Sequence, residues 1–116
     1  MKPALSQEFL QWVVQQNAKL EKLDRLGAAE REQIFWQVAK LTEETGELAE
    51  AVMAMEGLQR AEKTPPDTKD AAALEVADVI ITTLLLANRL GVDVNNALER
   101  KIEKIDRRFA EVNVKQ

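Results

Sequence analysis

With 116 residues, the chain has room for one domain with a modest core. At 46% hydrophobic and 31% charged residues, with 4 Gly and 3 Pro, it has the balance of a helical globular protein rather than a disordered or sheet-rich one. It contains no Cys and no His, which excludes disulfides, thiolate nucleophiles, Cys-based zinc sites and imidazole bases. Any metal must therefore be held by oxygen, which favours hard cations such as Mg²⁺ or Mn²⁺. The net charge of −4 argues against non-specific nucleic-acid binding. No apolar run approaches the ~20 residues that span a bilayer, and Met1 to Ser6 lacks a signal-peptide stretch, so a soluble cytoplasmic protein is expected.

In chain order, a first helix is predicted from about Ser6 to Asp24, with Leu5, Phe9, Trp12, Val13, Gln16 and Leu20 at three- and four-residue steps between Pro3 and Gly27. A second covers roughly Ala29 to Met55, with Ile34, Val38, Leu41, Thr45, Leu48, Val52 and Met55 in one stripe. Gly46 lies inside it, where it costs about 1 kcal/mol relative to Ala and so hints at close packing. The polar segment from Gly57 to Asp67, with Pro65-Pro66, reads as a loop. A third helix runs from Thr68 to Leu90, with Gly91 suited to end it in the left-handed conformation. Asp93 is placed to cap a fourth, running to about Val112, whose apolar stripe is Val94, Leu98, Ile102, Ile105, Phe109 and Val112. The third helix is apolar in nearly every direction around Val79 to Leu86, and such a helix must be covered all round. Four helices this short struggle to do so, which predicts a dimer or a larger even oligomer of four-helix, bundle-like protomers.

Two acidic pairs stand at one-turn spacing, Glu44 with Glu47 on the second helix and Glu75 with Asp78 on the third, each flanking an apolar face. Glu43 and Glu50 fall opposite, toward solvent, while Lys40 shares the side of Glu44 and Glu47. Solvated helix flanks are the ordinary explanation for such residues. Against it, Glu75 and Asp78 open the most apolar stretch of the chain, where a lone carboxylate is costly. Converging carboxylates raise one another's pKa unless a cation is present, and four of them suit one or two Mg²⁺ ions. On the fourth helix Lys101, Lys104 and Arg108 follow one edge of the apolar stripe, with Arg107 pointing away. A basic stripe facing an acidic metal site suits a phosphate-bearing substrate, the ordinary alternative being ion pairs such as Glu103 with Arg107.

The run Lys40-Leu-Thr-Glu-Glu-Thr-Gly-Glu-Leu-Ala-Glu-Ala51 resembles the first motif of the MazG-like nucleotide pyrophosphohydrolases, and Glu75-Val-Ala-Asp-Val-Ile80 resembles their second. Leu90-Gly-Val-Asp93 and Lys101 also fall where that pattern places them, so the resemblance spans roughly Ile34 to Phe109. It implies an all-α fold assembled as a dimer or dimer of dimers. It further implies Mg²⁺-dependent hydrolysis of a nucleoside triphosphate between the α and β phosphates, in a nucleotide house-cleaning role. The metal ligands would be Glu44, Glu47, Glu75 and Asp78, with Lys101, Lys104 and Arg108 holding phosphates. Ile105 departs from the Asn of many relatives, which puts any substrate contact from that position in doubt.

With no His, the attacking water must be activated by metal, by a carboxylate or by both, and Glu44 and Glu47 both stand where a base is needed. Trp12 and Trp36 are the candidates for stacking on a nucleobase, and Phe9 belongs to the apolar stripe. Two other functions fit parts of this pattern. One is a non-catalytic helical interaction module with solvated acidic faces; the other is a related helical phosphohydrolase acting on a different diphosphate-bearing metabolite. A di-iron bundle is excluded, since its ligand motif requires histidine.

Overall fold

A computed structural model of the chain describes residues 4–23, 29–57 and 67–115, with side chains through residue 112. Four helices follow one another, α1 (Gln7–Leu23), α2 (Glu30–Met55), α3 (Thr68–Arg89) and α4 (Val94–Lys115), with no strand among the described residues. The architecture is all-α. Pro3, Gly27 and the Pro65-Pro66 loop fall outside the described residues.

Local chemistry sets the helix ends. The Ser6 hydroxyl accepts from the Phe9 amide at 3.1 Å, Asp67 from Asp70 at 3.0 Å, and Asp93 from Asn96 at 3.1 Å, each satisfying an amide that the first turn leaves open. The first turn of α2 has no side-chain cap but carries Glu30 and Glu32, whose charge suits a helix N-terminus. Gly91 ends α3 at φ 69°, a left-handed conformation in which a Cβ would be strained.

Packing centres on α3. Helix α2 runs antiparallel to it, since Gln33 near the start of α2 meets Arg89 at the end of α3, while Glu44 meets Glu75 and Asp78 further along. Helix α1 packs on α3 as well. The shared core is small: Val13, Ala54, Ala72 and Leu84 are buried, together with the polar Asn17, Gln37 and Thr82.

Two expectations change here, and one holds. The apolar stripe of α2 is covered only in part, for Ile34, Leu41 and Leu48 are half-buried and Val38 and Val52 exposed, while Gln37 is 1% exposed. The contact face is turned toward the side that carries Glu44. Gly46 is exposed and a Cβ there would meet no atom within 4 Å, so packing within this chain does not require it. The expectation that one chain leaves α3 partly uncovered holds, for Leu74, Val76 and Ile80 on it and Leu90 at its cap are exposed.

Helix α4 makes no more than isolated contacts with the other three. Its first turn is tied to the segment before α1, where the Leu5 amide donates to Asn95 Oδ1 at 2.7 Å and Asn95 Nδ2 donates to the Leu5 carbonyl at 3.3 Å. Beyond that tie its apolar seam is open: Leu98, Ile105 and Val112 are exposed, and Phe109 is 63% exposed.

Candidate metal centre

The register of α2 on α3 brings three carboxylates together. Glu44, Glu75 and Asp78 each present an oxygen within 4.8 Å of the other two. The one-turn spacing on α3 places Glu75 and Asp78 side by side, and the rotated face of α2 turns Glu44 toward them. Glu44 has a side chain only 14% exposed, Glu75 is half-buried and Asp78 is open to solvent.

Electrostatically the cluster is frustrated. Burial pushes the Glu44 and Glu75 carboxyls above their ordinary range, and the charges of Glu47 and then Asp78, with a hydrogen bond to Glu47, push them further. Lys40 opposes this at Glu44, with Nζ 3.9 Å from Oε1, while also lying 3.5 Å from Glu43 Oε2. One oxygen of Glu44 and one of Glu75 are buried with no hydrogen-bond partner. Two orphaned carboxylate oxygens on facing helices, with a third donor beside them, match what a hard, oxygen-seeking divalent cation needs. The donor set fits Mg²⁺ or Mn²⁺.

Glu47 lies outside this close group of three. It is exposed, yet near enough to raise both Glu44 and Glu75 by charge and hydrogen bonding. It stands at the rim of the centre.

The other candidate residues are scattered in the single chain. Lys104 and Arg108 line an open cleft along α4 with Arg100, Glu103, Arg107 and Glu111. Arg107, expected to point away, shares that cleft, and Lys101 is not part of its lining. Side chains as long as Arg sweep past the edges that a helical wheel assigns them. Helix α4 makes no more than isolated contacts with α2 and α3, and none of the three carboxylates lines this cleft. Trp12 is exposed and stacks on Phe9 with ring centroids 6.2 Å apart and 29° between planes. Trp36 is 51% exposed on α2, beside Phe35, over whose ring Arg31 lies 5.4 Å away. Arg100 and the buried set Asn17, Gln37 and Arg89 went unread in the sequence. Asn17 falls between Val13 and Leu20, and Gln37 between Ile34 and Leu41, so a polar residue on each stripe was the available signal.

The MazG-like family model matches residues 36–115. The chain belongs to the MazG-like family. The match takes in both acidic motifs and all of α4, and it points to the nucleoside triphosphate pyrophosphohydrolase superfamily, whose members are typically metal-dependent. No curated protein and no solved structure matches the chain. Among the described residues no helix is long and apolar enough to cross a membrane.

Proposed function

We propose that this MazG-like chain is an Mg²⁺-dependent nucleoside triphosphate pyrophosphohydrolase. Its reaction cleaves the substrate between the α and β phosphates to a nucleoside monophosphate and pyrophosphate. The observation that carries the reading is the carboxylate group of Glu44, Glu75 and Asp78, with buried, unpartnered oxygens on two helices.

In this reading Glu44, Glu75 and Asp78 hold the cation, with Glu47 completing the set from the rim. When bound, the ion supplies charge to neutralise phosphate oxygens and to acidify water. Of the two candidate bases, Glu47 is the better placed. It is exposed where Glu44 is largely buried, so it can accept the proton of the attacking water as the new P–O bond forms and the bond bridging the α and β phosphates breaks. Lys40 sits beside Glu44, where its ammonium can pair with a substrate phosphate. Trp36 and Trp12 offer exposed ring faces for the base.

The remaining phosphate charge is met by Lys101, Lys104 and Arg108 on α4, a helix that packs little on α2 and α3 in its own chain. The reading therefore includes a homo-oligomer, a dimer or a dimer of dimers. A second copy would cover the open seams of α3 and α4 and bring basic side chains to the carboxylates. Supporting this are the run of exposed apolar residues along both helices and the opposite charges of the α4 cleft and the acidic centre.

The test is a screen of ribo- and deoxyribonucleoside triphosphates with Mg²⁺, with pyrophosphate and nucleoside monophosphate both quantified. Appearance of the two in equal amounts is expected for at least one substrate. Release of orthophosphate instead, or no hydrolysis by a folded, metal-binding protein across the screen, overturns the reading.

A further inference from the structure

Where α1, α2 and α3 meet, the chain buries a set of polar side chains that the proposed chemistry does not use. Asn17 Nδ2 donates to the Leu85 carbonyl at 3.0 Å and to Asn88 Oδ1 at 2.8 Å. Gln37 Nε2 reaches Asn17 Oδ1 at 3.5 Å, the long limit of such a bond. Beside them Arg89, the last residue of α3, has a side chain only 6% exposed. Its Nη1 donates to Gln33 Oε1 at 2.6 Å and to Glu21 Oε1 at 3.1 Å, while its Nε is buried without a partner.

As a source of cohesion this arrangement is poor. A guanidinium is desolvated, the carboxylate it pairs with is exposed, and one donor is left unsatisfied. An apolar side chain of similar volume would hold the helices together at least as well. What hydrogen bonds add is direction, since they fix rotation about a helix axis that apolar contact leaves soft. The two bonds that reach α2 land on Gln33 and Gln37, on either side of Trp36. From Trp36 one flank of α2 continues through Lys40 to Glu47, with Glu44 about 12 Å along the axis at the helical rise per residue.

We propose that Arg89 and Gln37 are positioning residues. Through Arg89–Gln33 and Gln37–Asn17–Asn88 they hold α2 at the rotation on α3 that presents Trp36, as a base-stacking surface, on the flank that carries the carboxylates. What stacks on Trp36 rests on the hydrolase reading; the rotation itself is a property of the free protein.

The quenching measurement uses Trp12→Phe as the parent, so that Trp36 is the sole tryptophan, and every other readout takes the unmutated chain as its reference. Arg89→Met and Gln37→Leu keep volume and remove direction, and Arg89→Lys keeps the charge. Readouts are helical circular dichroism, acrylamide quenching of Trp36 in metal-free protein, Mn²⁺ affinity by electron paramagnetic resonance, and KM and kcat for the best nucleotide. The expected result is retained helix and Mn²⁺ affinity within about twofold, with Trp36 quenching changed about twofold or more. KM should rise roughly tenfold against a kcat within about threefold, and Arg89→Lys should recover part of the loss. Should Gln37→Leu not fold, the Arg89→Met and Arg89→Lys pair carries the comparison. Folded variants with unchanged quenching and KM overturn the proposal. So does a joint fall of kcat, Mn²⁺ affinity and helix, which marks a role in stability alone. An unmutated protein that hydrolyses no nucleotide refutes the hydrolase reading, and the quenching comparison then judges the rotation by itself.

Discussion

Asp78→Asn tests the metal centre most cleanly, because Asp78 is the exposed member of the group of three and folding asks little of it. A change at such a position alters stability by no more than about 0.5 kcal/mol without metal. Metal affinity should respond far more, since the number of charged ligands moves divalent-ion affinity over several decades, and one carboxylate fewer of three is worth roughly a hundredfold. At Mn²⁺ a hundred times above the dissociation constant, the unmutated protein gains about 2.7 kcal/mol, and the variant at the same concentration only about 0.4 kcal/mol. At roughly 4 °C per kcal/mol for a domain of this size, the metal-induced rise in Tm falls from about 11 °C to about 2 °C. Differential scanning fluorimetry with and without Mn²⁺ reads this directly. Glu43→Gln, on the same helix but outside the group, is the control and should keep the full rise. Equal rises in both variants would refute the assignment of Asp78 as a ligand.

Four further outcomes are expected. Glu44 and Glu75 titrate above the ordinary 4.5, so between that value and their raised pKa the folded chain binds more protons than the unfolded one. Metal-free stability should therefore rise as pH falls through that window, while the stabilisation by Mn²⁺ shrinks; an identical metal-free Tm profile in Glu44→Gln would contradict this. Lys104→Ala should lower kcat/KM by roughly ten- to a hundredfold with the Mn²⁺ shift intact, as for loss of a charge-assisted bond to phosphate, and Lys101→Ala read beside it decides whether the cleft or the apolar edge of α4 holds the substrate. Phe109→Asp should convert the oligomer to a smaller species in light scattering, and an unmutated chain that is already monomeric would remove the assembly from the proposal. Gly46→Ala should raise stability by about 0.5–1 kcal/mol in urea melts, as at any open helical site; a loss instead would show that a second copy occupies the space beside it.

The helices and their ends were legible because their causes are local. Asp93 and Gly91 act within a turn of where they stand, one through its carboxylate and the other through its lack of a Cβ. The carboxylate centre was legible for a related reason: Glu75 and Asp78 are fixed by one helical turn, and only the approach of α2 had to be supplied. The core face of α2 was not. Ile34, Leu41 and Leu48 of the expected stripe are half-buried, but reading Val38 and Val52 as core assumes that a chain covers its own apolar residues, whereas here the buried positions are Gln37 and Ala54 and the valines are left exposed. The same assumption looks within one chain for what packs against Gly46 and for what the basic residues of α4 face. Arg89 escaped notice because a charged residue at a helix C-terminus ordinarily serves the dipole from the surface, and burial of its guanidinium depends on three helices meeting there.

The open seam of α4 also divides the energetics of the molecule. Helical stability in proteins comes mostly from packing an amphipathic face, and α1, α2 and α3 share such packing, so they open as one unit. Helix α4 draws little from them beyond the Asn95 tie. Its amide protons should exchange on a clock of their own, close to that of a free helical peptide at high dilution and slower wherever another surface lies along Phe109 and Val112. The 22 residues of α4 should then unfold apart from α1, α2 and α3 unless another surface covers them.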